Sequence, residues 1–399
     1  MTPGPASTSA STSASSTAAG ADSAELQLFR DSVRRFLRDQ VEPHYERWEK
    51  AGIMPRSLWN QLGDAGLLCV DLPEEFGGIG APFEFSMAII EEAARMGFLA
   101  LASNLTVHSD IAAPYVLHLG SDAQKRRWLP QMARGEVVGA IGMTEPGAGS
   151  DLQNIKTSAL PDGDGYVVNG SKTFITNGQH ADLVVLAAKT DPKAGAKGTT
   201  LLLLDTHLAG FKRGRNLDKI GLHAADTSEL FFDGVKVPTD AVLGKVGGGF
   251  GHMIDELPRE RLGIAVSAIG HAQGAIERTV EYVTTRKAFG SSIGSFQNTR
   301  FELARLKTDL EVNRAFVEKC TRLYHEGKLD APTAAMVKYA TTEMQNRVAD
   351  GCLQLFGGYG YMTEYPISRY FCDARIQRIY GGTSEIMREV IARSLVGRG

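Results

Sequence analysis

GAIGMTEPGAGSD, from Gly139 to Asp151, divides the chain into two kinds of sequence. Before it, apolar residues recur every three or four positions. After it, they come in short runs of strand length. Gly147 and Gly149 permit positive φ and let a ligand approach the main chain closely, while Ser150 and Asp151 offer a hydroxyl and a carboxylate. The same residues also fit a tight loop between a helix and a strand, with no ligand involved.

Upstream, Leu26, Phe29, Val33, Phe36, Leu37 and Val41 mark an amphipathic helix over 25–50. The same period predicts helices over 58–68, 83–96 and 110–119. Downstream, 166–168 and 172–176 read as two strands joined by a type I′ turn at Asn169-Gly170. A second hairpin is expected where Asp233-Gly234 joins 230–232 to 235–237. The runs 183–186 and 199–204 complete a β region. Beyond a glycine-rich hinge at 244–251, helical patterns over 250–289, 297–326, 331–356 and 384–397 predict a bundle. The chain is therefore expected to be α+β. An N-terminal helical domain covers 25–138, a middle β-barrel or sandwich domain 139–245, and a C-terminal helical bundle 246–399.

At 399 residues, two or three subdomains are expected. Lys and Arg number 43 against 46 acidic residues, with no basic run, which excludes nucleic acid as an expected partner. Four scattered cysteines make no CxxC and nine histidines make no paired spacing, so no disulfide framework and no metal are expected. Residues 1–24 are almost entirely Ser, Thr, Ala, Gly and Pro with Asp22 as the single charged side chain, and read as a disordered tail rather than a signal or transit peptide. No apolar stretch approaches the ~18 residues needed to cross a bilayer. A soluble, cytoplasmic protein is the expectation.

Met253, Leu257, Glu260, Ile264 and Ala268 share one helix face. A carboxylate thus lies in an apolar stripe, with Glu256 as its nearest ionisable neighbour on that side. Burial and like charge both raise a carboxyl pKa, as a general base working near neutral pH requires. An ion pair with an arginine of another helix is the structural alternative. Pro258 either kinks this helix or begins it, and a helix start would favour the ionised carboxylate. RKAFG at 286–290 has the form of a helix C-terminus, and Arg286 could also reach a phosphate. GSSIG at 290–294 follows a helix, so a hydrolase nucleophile elbow is not expected. QLFGGYGYMTEYP, 354–366, sets glycines and aromatics at a helix end. In IYGGTSEIM, 379–387, Thr383 and Ser384 are natural helix caps with Glu385 in the first turn.

MTEPGAGSD, NGSKTFITNG, ELPRERL, RKAFG, QLFGGYGYMTEYP and DARIQRIYGGTSEIM, in that order and spacing, closely resemble the acyl-CoA dehydrogenase family from about Leu26 to Arg393. The later motifs look most like its long-chain and isovaleryl types. The resemblance implies FAD between the β domain and the C-terminal helices, completed by a neighbouring subunit of a homotetramer, a dimer of dimers. Ile141, Met143, Thr144 and Ser150 would contact the flavin, with Phe174 and Thr176 covering its ring. Arg286, Phe289 and Gln297, with Gln354 to Gly358 from the partner subunit, would hold pyrophosphate and adenosine. Thr383 and Glu385 would lie near the ribityl and phosphate portion.

Many members carry the catalytic glutamate right after Ile-Tyr, where this chain has Gly381. A subset carries it at the position of Glu260. The resemblance then implies that Glu260 removes the α-proton of an acyl thioester while hydride passes from the β-carbon to flavin N5. Gly381 would polarise the carbonyl, Tyr380 would line the substrate, and Ser150 and Arg261 would orient the CoA portion. An electron-transferring flavoprotein is the implied acceptor and fatty-acid β-oxidation the implied setting. Rivals are an enzyme acting on carrier-protein-bound acyl groups, a flavin oxidase of the same fold, and a catalytically silent flavin-binding homologue.

Overall fold

The computed structural model describes residues 14–397, and side chains from 24 onward. Helix α1 (Ala14–Phe36) runs through a π-helical stretch, Leu37–Val41, into α2 (Glu42–Ala51). The first half of the tail expected to be disordered lies outside the described residues, and from Ala14 the chain is helical. Then come α3 (Ser57–Asp64), α4 (Phe83–Arg95) and a long rod of α5 (Leu99–Leu105), a π-helical stretch Thr106–Ala112, and α6 (Ala113–Leu119). The expected 110–119 helix is the end of this rod. Helix α7 (Asp122–Ala133) opens with a Ser121–Gln124 capping box, which satisfies two backbone donors at once.

Eight strands follow: β1 (Gly139–Gly142), β2 (Ser158–Asp162), β3 (Gly165–Thr176), β4 (Leu183–Lys189), β5 (Thr199–Asp205), β6 (Phe211–Asn216), β7 (Thr227–Pro238) and β8 (Val242–Leu243). They form one mixed sheet in the order β6-β7-β3-β2-β4-β5-β8, with β1 parallel to β4. Both expected hairpin turns are corrected. β3 and β7 are unbroken twelve-residue strands paired antiparallel with each other, and Asn169 faces Asp233-Gly234 across a bulge. Gly170 (φ 145°) and Gly234 (φ 63°) supply the bulge geometry, and Asn169 Oδ1 accepts from Gly234 N (2.9 Å). The true hairpin joins β2 to β3 through Gly163.

Helix α8 (Gly249–Thr285) begins the last region, followed by a two-stranded ribbon, β9 (Lys287–Ala288) and β10 (Ser291–Ser292). Then come α9 (Gln297–His325), α10 (Ala331–Phe356), the unexpected α11 (Pro366–Ala374) and α12 (Ser384–Val396).

Three buried apolar clusters organise these elements. Strand β4 is buried on both faces: Leu183, Val185 and Ala187 join the N-terminal helical core, while Val184, Leu186 and Ala188 join the core of the β region. Strand β5 repeats the arrangement with Leu201 and Leu203 against Leu202 and Leu204. Each buried valine or leucine among them contributes roughly 1.5–3 kcal/mol. Helix α4 bridges differently, giving Ile90 and Ala93 to the first core and Phe83 and Met87 to the core of the C-terminal bundle. It packs on α8, which carries Glu260.

Candidate active site

Helix α8 starts at Gly249, so Pro258 lies inside it and does not begin it. Glu260 is therefore three turns from the helix N-terminus, beyond the reach of the terminal dipole that would favour its ionised form. Its side chain is 7% exposed and makes no ion pair among the described residues. Tyr115 Oη donates to Glu260 Oε1 (3.2 Å). Burial pushes the carboxyl up, the Tyr115 hydrogen bond and Arg261 pull it down, Glu256 adds repulsion, and the balance is about 7.

Glu256, one helical turn earlier, pairs with His118 Nδ1 (2.7 Å). Tyr115 and His118 lie three residues apart on α6, so the two helices face each other through two rungs, Tyr115–Glu260 and His118–Glu256. Neither partner was legible in the sequence: a tyrosine and a histidine at helical spacing read as ordinary core or surface residues.

The two arginines flanking Glu260 have different roles. Arg259 is embedded in a polar network: Nη2 meets Asp71 (2.6 Å) and Asp110 (3.3 Å), Nη1 donates to Tyr324 Oη (2.9 Å), and the guanidinium lies over the Phe83 ring (4.1 Å). Arg261 is 4% exposed, and its Nε has no hydrogen-bond partner among the described residues. An unpaired buried donor costs stability, and a ligand oxygen would satisfy it.

Gly381 packs against α8 one turn beyond Glu260, where an added Cβ would come within 2.4 Å of Ile264 Cδ1. Its φ is 63° and that of Gly382 is 96°. A side chain at 381 would be strained in its backbone and crowded by Ile264, so this loop is shaped for glycine. Tyr380 precedes it, half-buried, its N–H bonded to Ile376 O (3.1 Å). Thr383 caps α12 by accepting from Ile386 N (3.2 Å), while Glu385 is exposed and paired with Arg388 (2.8 Å).

The loop after β1 folds as a tight turn in which Glu145 and Ala148 exchange both backbone hydrogen bonds (3.0 and 3.1 Å). Gly147 and Gly149 do not use the positive φ open to them; they are exposed, with open space where a Cβ would stand. Glu145 points inward. Its carboxylate accepts from Lys172 Nζ (2.8 Å), Lys156 N (2.6 Å) and Thr157 N (2.9 Å), and Lys172 also reaches Met143 O (2.9 Å). This buried ion pair fixes the main chain at Met143 and Thr144, beyond Ile141 of β1, while Ser150 stays exposed.

Thr144 O accepts from Thr173 N (2.9 Å), which brings the loop beside Phe174 of β3. Phe174 is 67% exposed and held at φ 59° in a strand irregularity, with Thr176 two residues on. Phe174 thus presents its ring to solvent on a backbone conformation that its side chain disfavours.

RKAFG is corrected. The helix stops at Thr285, Arg286 turns extended (φ −69°, ψ 129°), and Phe289-Gly290 at φ 52° and 81° form the turn of the β9–β10 ribbon. Phe289 is 97% exposed. The Arg286 guanidinium stacks on Tyr359 (5.0 Å), just past Gln354 to Gly358. Within one chain the ribbon, Gln297 at the start of α9 and the end of α10 thus lie on one surface. That surface is distant from Glu260. Arg286, just past the end of α8, is 26 residue steps from Glu260, which at the helical rise corresponds to about 39 Å.

The four cysteines are unpaired, and no cluster suited to a metal ion occurs among the described residues. No helix there is long and apolar enough to cross a membrane.

Comparisons with known proteins cover almost the whole chain. Residues 23–136, 140–235 and 247–396 match the N-terminal, middle and C-terminal domains of acyl-CoA dehydrogenase. The long-chain specific acyl-CoA dehydrogenase of Sus scrofa mitochondria is 46% identical over 376 residues, 94% of this chain and 87% of that one. The mitochondrial isovaleryl-CoA dehydrogenase of Arabidopsis thaliana is 36% identical over 377 residues, 94% of this chain and 91% of that one. The crystal structure of an acyl-CoA dehydrogenase from Geobacillus kaustophilus superposes with a TM-score of 0.91 at 45% identity, covering 93% of this chain and 98% of the other. With all three domains matched in order and the fold shared throughout, the chain belongs to the acyl-CoA dehydrogenase family.

Proposed function

We propose that the protein oxidises an acyl-CoA thioester to the trans-2-enoyl-CoA with FAD, and that Glu260 is the base for the α-proton. The observation that carries this reading is the Glu260 carboxyl itself: buried, held by one tyrosine, without an ion pair among the described residues, and brought to about 7, where a base is both ionised and able to accept a proton. Glu260 takes the α-proton. The Gly381 N–H faces the thioester carbonyl and acidifies that proton, as preorganised donors do. Arg261 gives its unpaired Nε–H to the CoA portion, with Ser150 at the mouth.

The residues present fit FAD. The exposed Phe174, the Met143–Thr144 main chain braced by Lys172, Thr176 and the capped start of α12 at Thr383 would hold the flavin end. Bound there, FAD supplies the hydride acceptor for the β-carbon. One chain does not reach both ends of the cofactor, because Arg286 lies about 39 Å along α8 from Glu260. The adenosine end therefore belongs to Arg286, Phe289, Gln297 and Gln354–Gly358 of a second copy, as in a homotetramer. An electron-transferring flavoprotein is the expected acceptor and β-oxidation the expected setting. The unpaired cysteines favour a reducing, cytoplasmic compartment.

The testing experiment is an anaerobic titration of the yellow protein with saturated acyl-CoAs of increasing chain length. Bleaching of the flavin is expected, and a protein that stays yellow with every thioester would sink the reading. The pH dependence gives a sharper check. Tyr115→Phe removes a hydrogen bond that favours the ionised carboxylate, so the acidic limb of kcat/KM, which reports the free enzyme and lies near pH 7 in the wild type, should move to higher pH while the plateau value persists.

A further inference from the structure

The segment that carries Gly381 is gripped by one helix. Lys338, fully buried on α10, donates from Nζ to the carbonyl of Gly382 (2.7 Å). Five residues along, Glu343 Oε1 accepts from Ser384 Oγ (2.7 Å) and from Arg378 Nε (2.8 Å). Asn346 Nδ2 reaches Ala374 O (2.9 Å). Helix α10 therefore holds the chain on both sides of Gly381-Gly382.

The grip answers a local need. Two adjacent glycines have the widest choice of φ and ψ of any dipeptide, so their own sterics do not decide where the Gly381 N–H points. The Gly381 N–H donor, the thioester carbonyl that accepts from it and a base on another helix have to agree to within a fraction of an ångström, and a 1 Å error can cost about 10²-fold in rate. A buried ammonium is an unfavourable way to satisfy one carbonyl. Burial, and Arg261 of α8 facing it, lower its pKa to about 7 against the pull of Glu343 and of Glu385 on α12. Such a group requires a reason to be there.

We propose that Lys338, assisted by Glu343, is a positioning residue for the reaction: by bolting the Gly382 carbonyl and the flanking Arg378 and Ser384 side chains to α10, it fixes the direction of the Gly381 N–H toward the thioester carbonyl. The inference rests on the thioester reading given above. Lys338 touches neither substrate nor cofactor in this scheme and acts through the loop.

The test compares holoenzyme variants by steady-state kinetics and by infrared difference spectroscopy of bound trans-2-enoyl-CoA carrying ¹³C at the carbonyl. In the wild type the carbonyl stretch should fall below its solution value, reporting the Gly381 hydrogen bond. In Lys338→Met, which keeps length and removes the donor, the stretch should return toward the solution value. kcat should fall roughly 10- to 100-fold, in line with losing much of an oxyanion donor, while KM changes less than about threefold. Glu343→Gln, at a partly exposed position, should fold in any case and show a smaller shift of the stretch in the same direction with a several-fold loss of kcat. A Lys338→Met enzyme with wild-type kcat, or a Glu343→Gln enzyme with an unmoved carbonyl stretch, would overturn the clamp. So would a loss of kcat in either variant without a spectral change. A wild type that leaves the stretch at its solution value would instead remove the thioester assignment on which the clamp depends.

Discussion

Glu260→Gln should lower kcat by roughly 10²–10⁴, the range a positioned general base supplies, while flavin content and thioester binding persist. The same variant should be more stable than the wild type, which separates loss of the base from misfolding. The folded carboxyl titrates near 7, above its ordinary 4.5, so the native state holds its proton more tightly than the unfolded chain between those values. Stability of the wild type is then lost as pH rises from about 4.5 to 7. Glutamine removes that loss, so the variant's gain in denaturant midpoint should be absent near pH 4 and full above pH 7. An inactive variant with no such pH-dependent gain would place the elevated pKa on another group.

Glu260 was legible because a lone carboxylate in an apolar helical stripe is an anomaly that spacing alone exposes. Its surroundings were not. Tyr115 lies 145 residues away in sequence and belongs to a stripe that any buried helix would show. Asn169-Gly170 and Asp233-Gly234 carry the local chemistry of hairpin turns, and each was read as one. In the fold they face each other across a single bulge in two long strands, a pairing visible in neither segment alone. Phe289-Gly290 shows the reverse: a two-residue turn does form there, with phenylalanine in a conformation its side chain disfavours, and the basic residues before it suggested a helix end instead. Lys338 was hidden because a lysine in a helix is normally at the surface, and nothing local says that this one is buried against a carbonyl.

Arg259→Met should cost about 3–5 kcal/mol of stability, the usual consequence of leaving buried carboxylates without their cation. Asp110 is already pushed up to about 7 by burial, and Asp71 shares the same guanidinium. With Arg259 gone, the pKa of Asp110 rises further, so the variant should lose stability relative to the wild type as pH increases, more at pH 8 than at pH 5. Urea midpoints at the two pH values measure this; a variant within about 1 kcal/mol of the wild type at pH 8 would show the network to be dispensable.

Strand β4 has a consequence for how the chain can be divided. Sequence patterns break it near residue 139 into a helical part and a sheet part, yet alternate residues of β4 and β5 belong to the cores of both. Released from the sheet, the helical part would leave Leu183, Val185, Leu201 and Leu203 facing water; released from the helices, the sheet would do the same to its partners. The change of sequence pattern near residue 139 is therefore not a boundary of cooperative folding. The helical and sheet parts should melt together, with the C-terminal bundle joined to them through Phe83 and Met87 of α4, and an excised N-terminal helical fragment should aggregate rather than fold.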